Sequence, residues 1–161
     1  MRRTAVSVCV VALIAAVAVP RATPRPESRS QATLSSRETA LVIAINSVRA
    51  LHLLPKLRID FRLVRAARSH SRDMLRHHYF DHGNFGRRMS TFHVRGRLFA
   101  ENLYWASGVA SANGTVASWL ASPPHRQNLL DPQLRRVGVA TPLGSFGGFS
   151  TATMVTADFA G

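Results

Sequence analysis

"SWLASPPHRQNLLDP", residues 118–132, predicts the end of a helix and a restricted histidine in this chain of 161 residues. Trp119 and Leu120 belong to a short apolar helical pattern, and Pro123 predicts where that helix breaks, because proline cannot continue a helix. We interpret the following His125 as a histidine on a loop whose geometry the two prolines restrict. A histidine held so rigidly is either positioned for a chemical purpose or caps the helix before it.

The residues upstream predict two longer helices. Ser35 and Glu38 stand three residues apart, as in a capping box, and apolar residues at helical spacing follow them. Asp60 is a suitable N-cap for a second, amphipathic helix over residues 61–78. Its apolar stripe includes His70, which we interpret as a satisfied core histidine. The arginines of this helix fall largely outside the stripe: Arg62, Arg65, Arg68 and Arg72.

The second half of the chain predicts a short helix and then strands. We expect the helix over residues 90–95, ahead of a glycine. Val137 and Val139 alternate with small residues, "GSFGG" at 144–148 is a turn signal, and residues 149–159 are rich in β-branched and aromatic side chains, so a terminal antiparallel hairpin is expected. Helices followed by strands indicate a layered α+β domain and not a βαβ series.

The beginning of the chain predicts export. Residues 1–22 carry basic residues, an apolar run and a small-residue region, which is the layout of a secretory signal. An uncleaved anchor is the alternative, although the apolar run is shorter than the roughly 20 residues of a membrane-spanning helix. Residues 23–34 predict a flexible linker, and residues 35–161 the folded domain. The only cysteine, Cys9, lies inside the signal, so the mature domain depends on its core and not on disulfides.

The chain is strongly basic, with 21 Lys+Arg against 8 Asp+Glu. Such a surface attracts polyanions, which for an exported protein are anionic lipids, cell-wall polymers or acidic polysaccharides and not nucleic acid. The alternative is that the arginines reflect genome composition and are simply solvated. We expect a monomer in a secreted, periplasmic or cell-envelope location, with no transmembrane span once the signal is cleaved.

Three separated stretches predict one site. His82 lies in "YFDHGNF", residues 79–85, and histidine can shuttle protons or bind a metal near neutral pH. Glu101 lies among apolar neighbours, and a buried carboxylate must be hydrogen-bonded, paired or metal-bound. We predict that these two residues and His125 line a common pocket. Taken singly, each also has an ordinary structural interpretation.

Motifs for common hydrolases are missing from the sequence. There is no G-x-S-x-G elbow, no H-E-x-x-H helix and no Cys/His zinc cluster. Two histidines with one carboxylate nevertheless match the ligands that zinc prefers, with water completing the shell.

The order of the motifs resembles the bacterial branch of the CAP superfamily (cysteine-rich secretory proteins, antigen 5, pathogenesis-related 1), also called SCP-like extracellular domains. The motifs are "AARSHSRDM", the aromatic–Asp–His triplet, "AENL", W-x-x-S-P-x-H-R-x-N-L-L-D-P and "VGVA". The resemblance runs from about Ser35 to Phe159. It implies an α-β-α sandwich with a small antiparallel sheet between helical layers.

The resemblance also implies a cleft with two histidines and two glutamates. His82 matches the first histidine, Glu101 the glutamate of the family's "GEN" motif, and His125 the second histidine. The second glutamate is missing, and Ser122 or a neighbour stands in its place. The resemblance implies binding of a divalent metal, often zinc, in some members, and it does not imply one activity. We predict His82 and His125 as the metal ligands and Glu101 as the catalytic residue if the cleft is catalytic. The residues implied to support the cleft are Asn102, Ser122, Arg126 and Asn128.

Three functional hypotheses follow. The first is a binding module for a lipid, sterol, glycan or anionic cell-envelope component, favoured by the basic charge, the missing second acid and the missing nucleophile. The second is a metal-assisted hydrolase in which Glu101 is a ligand or general base. The third is a purely structural triad that ties the cleft segments together.

Overall fold

The computed structural model describes residues 33–161. The predicted signal peptide and most of the predicted linker lie outside the described residues. Thr33 and Leu34, at the end of that linker, already engage the domain: the Thr33 carbonyl accepts a hydrogen bond from Arg68, and Leu34 packs against the core. Among the described residues, the elements are α1 (Ser36–Leu51), β1 (Arg58–Ile59), α2 (Phe61–His77), α3 (Phe85–Thr91), β2 (Phe99–Ser107), α4 (Ala112–Ala121), α5 (Pro123–Leu130), β3 (Arg136–Ala140), β4 (Leu143–Phe146) and β5 (Phe149–Ala160).

The predicted starts of α1 and α2 are confirmed by their caps. The Glu38 amide donates to Ser35 Oγ, and the Ser35 amide donates to the Glu38 carboxylate, which completes the capping box. Asp60 accepts a hydrogen bond of 2.8 Å from the Arg62 amide. The stripe of α2 that was expected to be apolar is buried as a unit, with His70 included.

β5 is the central strand of the sheet. It pairs antiparallel with β2 along one edge and with β3 and β4 along the other, and the two-residue β1 adds a parallel pair to β3. The predicted terminal hairpin is confirmed as β4 and β5. Its turn contains Gly147 and Gly148, whose φ angles of 59° and 85° favour glycine.

Helices cover both faces of this sheet, so the expected α-β-α sandwich is confirmed. On one face, α1, α4 and α5 bury the large core cluster that includes Trp119 and Phe159. On the other face, α2 lies against β3 and β5. The contact is close at Gly138, where a Cβ atom would lie 2.1 Å from the Val64 amide nitrogen. No helix within residues 33–161 has the length and apolarity needed to cross a bilayer.

Three local expectations are corrected. The short helix predicted over residues 90–95 lies earlier, at Phe85–Thr91, because Asn84 caps it by accepting from the Arg87 amide. The helix break before Pro123 is correct, but His125 is not on a loop: the prolines begin α5, since the first helical turn does not require their missing N–H groups. The extended segment that carries Glu101 is β2, for which the sequence patterns predict no strand.

Candidate functional site

Two carboxyl groups lie side by side on the α2 face of the sheet. Glu101 in β2 is paired directly with Asp158 in β5, and cross-strand partners project toward the same face. Both are buried, at 6% and 0% exposure. Two adjacent carboxylates in the interior require either a cation or a shared proton, because unpaired buried charge is costly.

Arg88 from α3 supplies the cation. Its guanidinium donates to Glu101 Oε2 and lies 3.7 Å from Asp158 Oδ1. It also donates to the His82 carbonyl at 3.1 Å, which ties the 79–85 stretch to the pair. One arginine cannot balance two carboxylates. Burial and then the neighbouring Glu101 raise the pKa of Asp158 well above its usual range, which favours a neutral Asp158 beside an ion-paired Glu101.

Two histidines flank Glu101. His82 Nδ1 lies 2.7 Å from Glu101 Oε1, while 57% of the His82 side chain remains exposed. His70 of α2 is the second histidine, and its Nε2 lies 3.9 Å from Glu101 Oε2. Burial, followed by the charge of Arg88, lowers the pKa of His70, so its imidazole is neutral near pH 7. His70 is buried as the sequence predicts, but its Nε2 has no hydrogen-bond partner among residues 33–161.

His125 lies in α5 and is connected to β2 through its main chain. Its Nδ1 lies 2.8 Å from Ser122 Oγ. Asn102 donates to the His125 carbonyl at 3.0 Å, and Asn128 donates both to Asn102 Oδ1 and to the Glu101 carbonyl. These amide side chains therefore hold α5 against β2. Burial and then the nearby His82 imidazole lower the pKa of His125.

The structure therefore joins most of the predicted residues through β2. His82 contacts the Glu101 side chain and Asn128 donates to the Glu101 carbonyl, whereas the His125 carbonyl accepts from Asn102, the next residue of β2. Arg126 is placed elsewhere: it lines a groove on the outer side of α4 and α5 together with Leu120.

Sequence reasoning did not assign three residues of this site: His70, Arg88 and Asp158. Asp158 carried a signal, because it is the only charged residue in the otherwise uncharged run 149–160. An acid at such a position is expected to have a specific partner. Arg88 carried no comparable signal, since it is one of many arginines and its role depends on where α3 packs.

Polar atoms at this site remain unpartnered although they are buried. Besides His70 Nε2, they are Arg88 Nε and both side-chain oxygens of Asp158, counting partners within the described residues. His70 and Arg88 also line a cleft of about 270 Å³. Most other lining side chains are polar: Ser69, Asp73, Tyr79, Asn84, Arg87 and Thr91.

The residues fit a divalent metal poorly. Each oxygen of Glu101 already contacts a donor, His82 on one side and Arg88 on the other. Within the described part of the chain, no three His, Cys, Asp or Glu side chains are arranged to hold a metal ion. The guanidinium of Arg88 places fixed positive charge beside both carboxyl groups, where it opposes a second cation. Metal binding by His82 and His125 therefore stays a prediction of the resemblance.

Comparison with known proteins gives sequence relatives in Bacillus subtilis. The uncharacterized protein YkwD is 32% identical over 112 residues, covering 66% of this chain and 43% of the relative. The uncharacterized membrane protein YlbC is 30% identical over 110 residues, covering 65% of this chain and 31% of the relative. This chain thus spans less than half the length of either relative.

Solved structures share the fold. An extracellular protein of Bacillus anthracis that contains an SCP domain is 28% identical, with a TM-score of 0.60 over 77% of this chain and 40% of that one. An outer surface protein of Borrelia burgdorferi is 23% identical, with a TM-score of 0.64 over 78% of this chain and 94% of that one. The model of the cysteine-rich secretory protein family, CAP, matches residues 42–159, and the chain belongs to this family.

Proposed function

We propose that this CAP domain is exported and binds a polar glycan group of the cell envelope. The proposed site is the cleft lined by His70 and Arg88, which we call the cleft beside Glu101 because both residues lie next to that carboxylate. The observation that carries the proposal is the set of buried but unpartnered polar atoms, above all Arg88 Nε and His70 Nε2. A buried donor without a partner costs about 1–3 kcal/mol. A ligand oxygen that enters the cleft recovers that cost.

The lining of the cleft favours a glycan over a lipid or sterol. Hydroxyl and carboxylate oxygens of a sugar can accept from Arg88 and Arg87, and sugar hydroxyls can donate to Asp73. Tyr79 donates to Asp73 Oδ2 at 2.6 Å, and burial together with this bond raises the pKa of Tyr79 to about 12, so its hydroxyl stays protonated. A cleft of about 270 Å³ lies just below the usual size range of ligand pockets, which suits one sugar unit better than an acyl chain.

The unpartnered atoms belong to His70, Arg88 and Asp158 and not to the triad of His82, Glu101 and His125. They favour a ligand at the cleft and do not test whether the triad has only a structural role. The metal-assisted hydrolase gains no comparable support from these contacts.

Binding is tested with a uronate-containing disaccharide and a neutral disaccharide of the same size, titrated into isotopically labelled domain and followed by NMR. We expect saturable shifts around the cleft, stronger for the uronate. Arg87→Gln removes an exposed cleft arginine and should weaken binding about tenfold, or about 1.4 kcal/mol. Arg126→Gln, the same change in the separate groove, should leave binding unchanged. Equal effects of the two changes, or shifts that do not saturate, would refute the cleft as the binding site.

Export is tested separately. The domain of similar fold in Bacillus anthracis is described as extracellular, and residues 1–22 have the layout of a secretory signal. We expect a reporter fused after residue 34 to leave the cytoplasm, and to stay inside when residues 1–22 are deleted. A reporter that remains cytoplasmic in both forms would contradict export.

A further inference from the structure

The solvent face of α2 carries a row of arginines. They line one cleft of about 480 Å³ together with Ser69, Asp73 and Phe92. The spacing of three and four residues places them on one side of the helix. From the first to the last, the helix rises about 16 Å. The arginines of this row are Arg65, Arg68, Arg72 and Arg76.

Most of this charge is not neutralised within the domain. Arg65, Arg72 and Arg76 are exposed, and no carboxylate of residues 33–161 lies within salt-bridge distance of them. Arg68 alone is paired, with Glu38 at 2.5 Å. The one acid of the cleft, Asp73, is already engaged by other groups. Like charges along one helix face destabilise the helix by a few tenths of a kcal/mol per pair, so the three unpaired arginines do not stabilise the fold.

The cleft is part of a longer furrow, which we call the α2 furrow. It shares Arg68 and Arg72 with a neighbouring cleft of about 470 Å³, to which Arg37 contributes a further cation. It also borders the cleft beside Glu101, with which it shares Ser69, Asp73 and Phe92. A concave, linear path of cations is complementary to an extended anionic chain, whereas a flat anionic membrane would reach only its rims.

We propose that the α2 furrow binds a linear phosphate polymer, such as a phosphodiester or polyphosphate chain. Arginine is suited to this partner because its planar guanidinium donates two parallel hydrogen bonds to phosphate oxygens. Binding releases counterions from the polymer, so the affinity falls steeply as salt rises. The proposal concerns a surface outside the cleft beside Glu101 and does not depend on the ligand bound there.

The test uses the domain and fluorescently labelled inorganic polyphosphate, with anisotropy measured at 50 mM and 200 mM salt. For three phosphates contacted, the affinity should fall on the order of tenfold between the two conditions. The triple variant Arg65→Gln, Arg72→Gln, Arg76→Gln should bind at least tenfold more weakly than the wild type. Glutamine preserves helix propensity, so far-UV circular dichroism and the melting temperature should be retained.

The matched control carries Arg58→Gln, Arg97→Gln and Arg126→Gln, three exposed arginines outside the furrow. It has the same net charge as the furrow variant and should bind within twofold of the wild type. An equal loss in both variants would show general charge attraction and overturn the proposal. Equally tight binding of a polyuronate, or tighter binding of anionic lipid vesicles, would overturn phosphate polymers as the partner. If the triple variant fails to fold, Arg72→Glu alone must still weaken binding.

The outcome is separable from that of the cleft. Arg87→Gln tests the disaccharide site, and the α2 triple variant tests the polymer site. Loss of polyphosphate binding with intact disaccharide binding supports the furrow as a separate surface. Loss of both in the triple variant, at unchanged melting temperature, would contradict that separation.

Discussion

Arg49 and Arg88 have little solvent exposure, at 0% for Arg49 and 10% for the Arg88 side chain, but their hydrogen-bond partners differ in kind. Arg49 is fully buried, and its guanidinium donates only to main-chain carbonyls: Pro55, Leu129, Asp131 and Leu134, at 2.9–3.3 Å. Arg88 is directed at two carboxyl groups, borders a cleft and retains an unpartnered Nε. The hydrogen bonds of Arg49 are satisfied within the domain, whereas those of Arg88 are not.

The difference separates a structural role from a binding role. Arg49 connects α1 with the end of α5 and the segment before β3. Its bond to Leu129 satisfies a carbonyl that the last turn of α5 leaves free. Burial lowers the pKa of Arg49, but neutral carbonyls on all sides compensate its guanidinium. Arg88 and His70, in contrast, each have a buried nitrogen without a partner among residues 33–161, and both residues line the cleft in which we propose that the ligand binds.

The largest effect is expected from Arg49→Met. The change leaves several buried carbonyls without a donor, so the free energy of unfolding should fall on the order of 4 kcal/mol. Urea denaturation measures it. Disaccharide binding under folding conditions should be unchanged, because Arg49 does not line the cleft. A loss below about 1 kcal/mol would mean that Arg49 does not hold these segments together.

Arg88→Met should destabilise the domain less, by about 2–3 kcal/mol. Breaking a buried ion pair costs about 3–5 kcal/mol, but the remaining carboxyl groups are partly compensated by other means. Asp158 is favoured in its neutral form, and Glu101 keeps its contact with His82. Unlike Arg49→Met, this change should also abolish disaccharide binding. Intact binding in a folded Arg88→Met domain would break the distinction between the two arginines.

Asp158→Asn tests whether Asp158 is neutral in the folded domain, through the pH dependence of stability. The folded-state pKa of Asp158 is raised by burial and Glu101, so the folded state holds a proton that the unfolded state releases. Stability from this group is therefore present below the ordinary carboxyl range and is lost as the pH rises toward the folded pKa. Asparagine mimics the neutral acid, so the stability of the variant relative to wild type should increase with pH.

Thermal melts between pH 4 and 8 measure this difference. Asp131→Asn serves as the control, because its carboxylate accepts from the Gln133 amide at the surface. The control should not gain stability relative to wild type as the pH rises. A flat difference for Asp158→Asn would indicate that Asp158 is ionised like an ordinary aspartate.

His82→Gln should have a small effect on stability, within about 0.5 kcal/mol, because the side chain is largely exposed. Glutamine can still donate to Glu101 from a similar position. Thermal unfolding measures the change. A loss above 2 kcal/mol would favour the structural triad over a binding site.

Zinc is expected to have the smallest effect on the melting temperature. Because both oxygens of Glu101 are engaged, adding zinc should leave the melting temperature of the wild-type domain unchanged. A zinc-dependent rise that disappears in His82→Gln and in His125→Gln would establish the metal site that the resemblance implies. Metal analysis of the purified domain gives an independent readout.

The parts of the fold that were predictable depend on local chemistry. Ser35, Glu38 and Asp60 announce their helices because capping is a contact between near neighbours. His125 was misplaced because prolines that end one helix also begin the next, and sequence alone does not distinguish these uses. β2 was missed because its residues do not alternate simply between apolar and polar.

Only the His82–Glu101 contact of the site was predictable from the sequence. His82 and Glu101 meet as expected, since each stood out from its immediate surroundings. Arg88 and Asp158 join them through strand register and helix packing, which bring together residues far apart in the chain. Their assignment required the structure, because no local pattern marks which arginine faces which acid.

The central position of β5 has a consequence for refolding. β4 and β5 form a local hairpin, but β2 is separated from β5 by α4, α5, β3 and β4 in the chain. Pairing of residues so distant in sequence is slow compared with helix formation. Glu101 and Asp158 become neighbours only at that step. A stopped-flow experiment should therefore show helical signal returning first and ligand recognition appearing only with the final, rate-limiting phase.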